Sequence, residues 1–284
     1  MAMITLFSTL IKRKTNWVII ILFSGLIASC EFSKDWDFYY NVDINKLVVH
    51  GFFSADTLVV EINSLKHPLT KNSIEVKGLE AKLYEDDVLI GQLEKINDSI
   101  FIRPTGFSPK RGKNYWLKIN SDNFPEALTH KETLPAIPTI DSVFIDTLNE
   151  YQSKLLILVA FNDFKEVHNY YSITAKEFYN GEALNKDLFN QGNLSDISFD
   201  GEKYFWQIEA YKWSDSVEIY LHQLSPCFYN FLESITDLED SFNDPFVPHP
   251  SPVISNVDNG YGFFGAFSTS KRKVVVINAT NNSN

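Results

Sequence analysis

From residue 46 onward, apolar and polar side chains alternate with a period of two, in short runs divided by turn residues. Residues 46–53 and 57–63 are β-rich and flank a turn containing Ser54 and Asp56. Residues 79–84 and 88–93 flank Glu85-Asp86-Asp87, a hairpin signal. Residues 99–103 follow, then a turn marked by Pro104, Gly106, Pro109 and Gly112. In residues 114–120, Tyr115, Leu117 and Ile119 fall opposite Trp116 and Lys118, and residues 126–133 close the set. Short strands at regular spacing predict an all-β sandwich. Leu134-Pro135-Ala136-Ile137-Pro138 bounds it, because two prolines three apart bar a continuous helix or a central strand.

Beyond this linker, residues 140–147, 154–161, 170–178, 203–211 and 217–221 are again strand-like. The polar stretch 180–200, with Gly181, Gly192 and Gly201 in or beside it, predicts a long surface loop. Residues 226–240 form the one convincing helix: Ser225 can cap it, and Pro226 is tolerated in its first turn. Phe228, Phe231, Leu232, Ile235 and Leu238 then share a face. Four prolines make residues 244–252 extended. Residues 261–267 interleave glycine with aromatics, as in a strand where backbones approach closely, and 273–277 read as a last strand before a frayed tail, 278–284. The pattern as a whole predicts two mainly antiparallel, Ig-like β-sandwich domains, 46–135 and 136–277, the second carrying the helix.

The N-terminus follows a different rule. Lys12-Arg13-Lys14 precedes an apolar stretch, residues 17–29, that is too short to span a bilayer. A basic start, an apolar core and small residues before a cleavage point make a secretory signal peptide, residues 1–29. Leu26-Ile27-Ala28-Ser29 followed by Cys30 resembles a bacterial lipoprotein signal. That resemblance implies cleavage before Cys30, a diacylglyceryl thioether on its sulfur and an acyl chain such as palmitate on its amine. Residues 30–45 would then be a tether, and multiple acyl chains give stable anchoring. Glu31, where an aspartate is associated with inner-membrane retention, favours the outer membrane. Ser33-Lys34-Asp35 loosely resembles a surface-export signal of Bacteroidetes lipoproteins. An ordinary signal peptide with an incidental cysteine is the alternative.

Removing 29 residues from 284 leaves 255, with 22 basic and 36 acidic side chains and a formal charge of −14. Such a surface lacks the basic footprint that nucleic acid or anionic lipid requires. Cys227 is the only cysteine after Cys30, so the mature chain has no internal disulfide, and a lone cysteine of this kind is most often a small buried hydrophobe.

Candidate chemistry is sparse. His50, His67, His130, His168, His222 and His249 are all more than five positions apart, and no His-Glu-x-x-His, Gly-x-Ser-x-Gly, Walker or Rossmann pattern occurs. Asp237, Glu239, Asp240, Asn243 and Asp244 are the densest oxygen-ligand group but lack the spacing of a calcium loop, which favours a solvated helix end. No catalytic residue, metal or cofactor is assigned. Trp206 and Trp213, seven apart, fall on opposite faces of a regular strand, which argues against a shared stacking platform. Thr57, Ser99, Ser142, Thr147 and Ser216 each follow an aspartate and precede an apolar residue, matching a short O-glycosylation signal of the Bacteroidetes.

Several short motifs, in order, resemble those of domain of unknown function family 4249, lipoproteins of the Bacteroidetes. They are Lys46-Leu47-Val48-Val49-His50-Gly51, Lys113-Asn114-Tyr115-Trp116-Leu117, the linker 135–141, Asp244-Pro245-Phe246, Pro252-Val253, Ser255-Asn256 and Asn259-Gly260-Tyr261-Gly262-Phe263-Phe264. Asn259 departs from the glycine common there. The resemblance implies an outer-membrane-anchored β protein, often encoded beside a TonB-dependent receptor, and it brings no catalytic residues. The expectation is a non-enzymatic accessory lipoprotein partnering such a transporter in nutrient capture. A stand-alone surface module binding a glycan or peptide is the alternative, and a hydrolase with scattered carboxylates is a third.

Overall fold

A computed structural model describes residues 43–66, 74–146, 154–184, 189–243 and 252–276. Cys30, Thr147, most of the tether and the tail lie outside these. Alternation directs Leu47, Val49 and Phe53 of β1 (Leu47–Phe53) inward, leaving Val48, His50 and Phe52 on the opposite face. The first half continues with β2 (Leu58–Ser64), β3 (Glu80–Glu85), β4 (Val88–Gln92), β5 (Glu94–Lys95), β6 (Ile100–Ile102), β7 (Asn114–Asn120), β8 (Ala127–Thr129) and β9 (Glu132–Thr133). The second half holds β10 (Ile140–Asp146), β11 (Lys154–Asn162), β12 (Tyr170–Tyr179), β13 (Glu182–Ala183), β14 (Phe189–Ser195), β15 (Lys203–Tyr211) and β16 (Ser216–Leu224). Helix α1 (Pro226–Asn243), β17 (Val257–Asp258) and β18 (Gly260–Val275) complete it.

The fold is mainly β, with mainly antiparallel sheets layered as sandwiches and α1 as the α-helix of the described residues. The largest sheet runs β13-β12-β16-β18-β1-β2-β6-β5, with β14 beside β12. Sheets of order β17-β8-β7-β3-β4, with β9 beside β7, and β10-β11-β15 complete the two sandwiches. One core joins Val49, Phe53, Val60, Leu83, Tyr115 and Leu117; another joins Ile157, Phe161, Tyr171, Trp206, Ile219 and Leu221. Each such side chain contributes about 1.5–3 kcal/mol by leaving water.

β18 ties the two together. Its first part pairs in parallel with β1, Leu47 beside Gly260 through Phe53 beside Ala266. Its second part pairs antiparallel with β16, Leu224 beside Phe267 through Ser216 beside Val275. The two cores therefore do not divide simply at Pro135: Val257, Phe264 and Ala266 pack into the first one. The described residues from Asp43 to Val276 group as one compact unit.

Local signals explain several elements. Asp86 and Asp87 take φ of 45° and 71°, the left-handed pair that a tight hairpin turn needs. The α1 cap is as expected: Ser225 Oγ accepts from Phe228 N at 3.4 Å, and Ser225 O accepts from Tyr229 N at 3.0 Å.

Four details differ from the expectations. The helix runs to Asn243, three residues beyond Asp240. Residues 126–133 split into β8 and β9. The stretch 180–200 is not a loop throughout, since it contains β13, β14 and a 3-10 turn at Asp196–Ser198. β14 has no apolar alternation to announce it; it forms by backbone pairing with β12, across a register shift between Ser172 and Thr174. The strands expected at 261–267 and 273–277 are one strand, because β16 supplies ladder partners through the polar run Ser268-Thr269-Ser270-Lys271-Arg272.

Candidate functional site

The outward face of the β1–β2–β6 region and helix α1 together form a half-open groove of about 340 Å³. His50, Phe52, Val59, Glu61, Ile100, Phe231 and Phe263 line it. Strand register sets the floor, with His50 between Phe263 and Glu61, Phe52 beside Val59, and Glu61 beside Ile100. The wall is α1, seated by close approach. A Cβ on Gly265 would stand 2.8 Å from the Phe228 Cβ, so only glycine lets the helix lie this near β18. Phe231 stacks on Phe263 with ring centroids 3.8 Å apart, and Phe228 stacks on the same ring at 5.2 Å. The His50 ring lies 6.1 Å from Phe263 and 6.5 Å from Phe231. Glu61 accepts a 2.8 Å bond from Asn63, and among the described residues it has no lysine or arginine partner.

A buried polar junction holds the start of α1. Ser225 Oγ accepts from Ala266 N at 3.1 Å, and Asn256 forms two 2.8 Å bonds with the Phe264 backbone. Cys227, Ser225 and Asn256 converge on Glu132, which is only 4% exposed. Burial raises the Glu132 carboxyl above the usual range, against the effect of those hydrogen bonds. Burial first, then the bond to Glu132, pushes the Cys227 thiol up to about 12, leaving it a poor nucleophile at neutral pH. Half-buried, it is less enclosed than a lone core cysteine would be.

A second polar group lies at the turns flanking β12 and β14. Carboxylate oxygens of Asp163, Asp196 and Asp200 lie within 4.8 Å of one another, and this is where a divalent cation could be held. Each is already an acceptor: Asp163 from Tyr171 Oη at 2.6 Å and Gly201 N at 2.7 Å, Asp196 from Asn169 N at 2.7 Å, Asp200 from Glu166 N at 3.0 Å. They brace two loops. Nearby, His168 Nε2 lies 2.7 Å from Ser195 Oγ and 3.5 Å from Asp196 Oδ1. Both partners approach one ring nitrogen, whereas a Ser-His-Asp relay uses the two nitrogens separately.

The residues singled out in the sequence scatter. Thr57 and Ser99 lie half-buried at turns before β2 and β6, Ser142 lies within β10, and Ser216 is 6% exposed at the start of β16. Asp237, Glu239 and Asp240 are exposed on the last turns of α1. Trp206 is buried, while Trp213 is exposed and stacks on Tyr211 at 4.5 Å. His222 bridges Thr174 at 3.0 Å and Thr269 at 2.8 Å, and burial lowers its pKa to about 4. The groove has no local signature in the sequence: His50 and Phe231 are legible as a strand-face and a helix-face residue, but nothing local brings them together. The Asp196–Asp200 spacing is visible in the sequence; its meeting with Asp163 is not.

No curated protein matches the chain. Among solved structures, a DUF3823 family protein from Bacteroides ovatus is similar over 64% of this chain and 91% of that one, at 12% identity and a TM-score of 0.18. The family model for a domain of unknown function, DUF4249, matches residues 35–273, which takes in the groove and nearly all of both sandwiches, and the chain belongs to that family.

Proposed function

We propose that this protein is a non-enzymatic ligand-capture lipoprotein of the outer membrane, held through Cys30 and working with a TonB-dependent transporter in nutrient uptake. The groove carries this reading. A concave, mostly apolar surface with a few polar groups is what small-ligand capture requires, and Phe52, Phe231 and Phe263 with His50 and Glu61 provide it. The leader before Cys30 supports the anchor. Affinity capture of the full-length protein from native membranes is expected to recover an outer-membrane transporter, and Cys30→Ser to release the protein from the membrane fraction. Repeated capture without any transporter would refute the partnership.

The exposed Trp213, stacked on Tyr211, favours a second reading as a stand-alone glycan-binding module. Binding on a polysaccharide array that Trp213→Ala abolishes would support it over the first.

A further inference from the structure

Building on the groove as the ligand site, we infer that it selects a small organic cation: a primary amine or guanidine on an aromatic or aliphatic stem about the size of an amino-acid side chain. Three observations carry this. Glu61 is the one formally charged side chain among the seven lining residues, and it faces the groove from the exposed face of β2. Its Oε1 is oriented by Asn63, and no described basic residue neutralises it. The remaining walls are three phenylalanine rings, an imidazole, a valine and an isoleucine.

Aromatic faces attract cations and repel anions, so the rings and the carboxylate favour the same sign of charge. The mature chain's charge of −14 adds a field of the same sign over the whole surface. An anionic ligand would meet Glu61 with no described lysine or arginine to offset it. The volume, about 340 Å³, lies near the lower bound of ordinary ligand pockets, which fits a compact ligand rather than a polymer.

Three probes on the same phenethyl stem test the sign of the charge: phenethylammonium, 2-phenylethanol and 3-phenylpropionate. Each is titrated calorimetrically into the full chain in nanodiscs, with empty nanodiscs subtracted. Phenethylammonium is expected to bind about tenfold more tightly than the alcohol, with the carboxylate weakest. Glu61→Gln, which keeps the shape of the exposed side chain, should erase that preference, and Val59→Lys should abolish amine binding. Circular dichroism confirms that both variants fold. Equal binding of the three probes, a preference that survives Glu61→Gln, or no saturable binding of the amine would each overturn the inference. Transporter capture from membranes is read separately, so a failure of charge selectivity is distinguishable from a failure of the proposed function.

Discussion

Gly262→Ala tests the joint on which the architecture depends. Gly262 sits in β18 opposite Val49 with φ of +102°, and a Cβ there would lie 2.0 Å from the Val49 carbonyl oxygen. A relaxed carbon–oxygen contact is about 3.3 Å, so the strands must separate by roughly 1.3 Å, which breaks ladder hydrogen bonds on either side. The left-handed backbone costs a non-glycine residue about 1–2 kcal/mol. Losing two hydrogen bonds adds about 2 kcal/mol. The total of about 3–4 kcal/mol is a large fraction of the 5–15 kcal/mol that stabilises a typical domain. Gly106 is the control, with φ of +78° and nothing within 4 Å of an added Cβ. Gly106→Ala therefore carries only the backbone term, about 1 kcal/mol. Urea melts followed by circular dichroism measure both. If Gly262→Ala destabilises no more than Gly106→Ala, the β1–β18 contact is not the constraint described.

Two further predictions concern buried titratable groups. His222 has its pKa lowered by burial from an ordinary 6.5 to about 4, so stability falls as pH drops below 6.5 and the loss is complete near 4, worth about 3 kcal/mol. The stability advantage of wild type over His222→Gln should shrink by that amount between neutral pH and pH 4; a pH-independent gap would disprove it. Glu132 has its carboxyl pKa raised by burial, so its ionisation opposes folding as pH rises. Glu132→Gln should therefore be stabilising at neutral and alkaline pH, with a gain that fades on acidification, as read from thermal melts across pH. A variant less stable than wild type at every pH would count against this.

Much of the fold was legible because its signals are local. Alternation along residues 46–53 and 114–120 marked the faces that pack into the first core, and Asp86-Asp87 marked a turn whose φ values suit short polar residues. Ser225-Pro226 marked a helix start because a cap and a missing N–H act within one turn. β14 and the middle of β18 were illegible for the converse reason: their polar side chains carry no pattern, and partner strands supply the order. The groove combines both cases, since its residues were individually unremarkable and became a site only by assembly.

The amino-acid sequence by itself determined most of the short segments that extend, the α-helix of the described residues, and which face of each turns from water, because period, cap and turn chemistry act over a few residues. The tertiary structure alone decided that Leu47 lies beside Gly260 and Phe267 beside Leu224, so that one strand serves two sheets. It also decided that Phe231 comes to rest over Phe263, above a floor carrying His50 and Glu61. These pairings join segments far apart in the chain, and they are selected by the fit of whole surfaces, such as glycines at Gly262 and Gly265 that admit a close neighbour, rather than by any pattern within one segment.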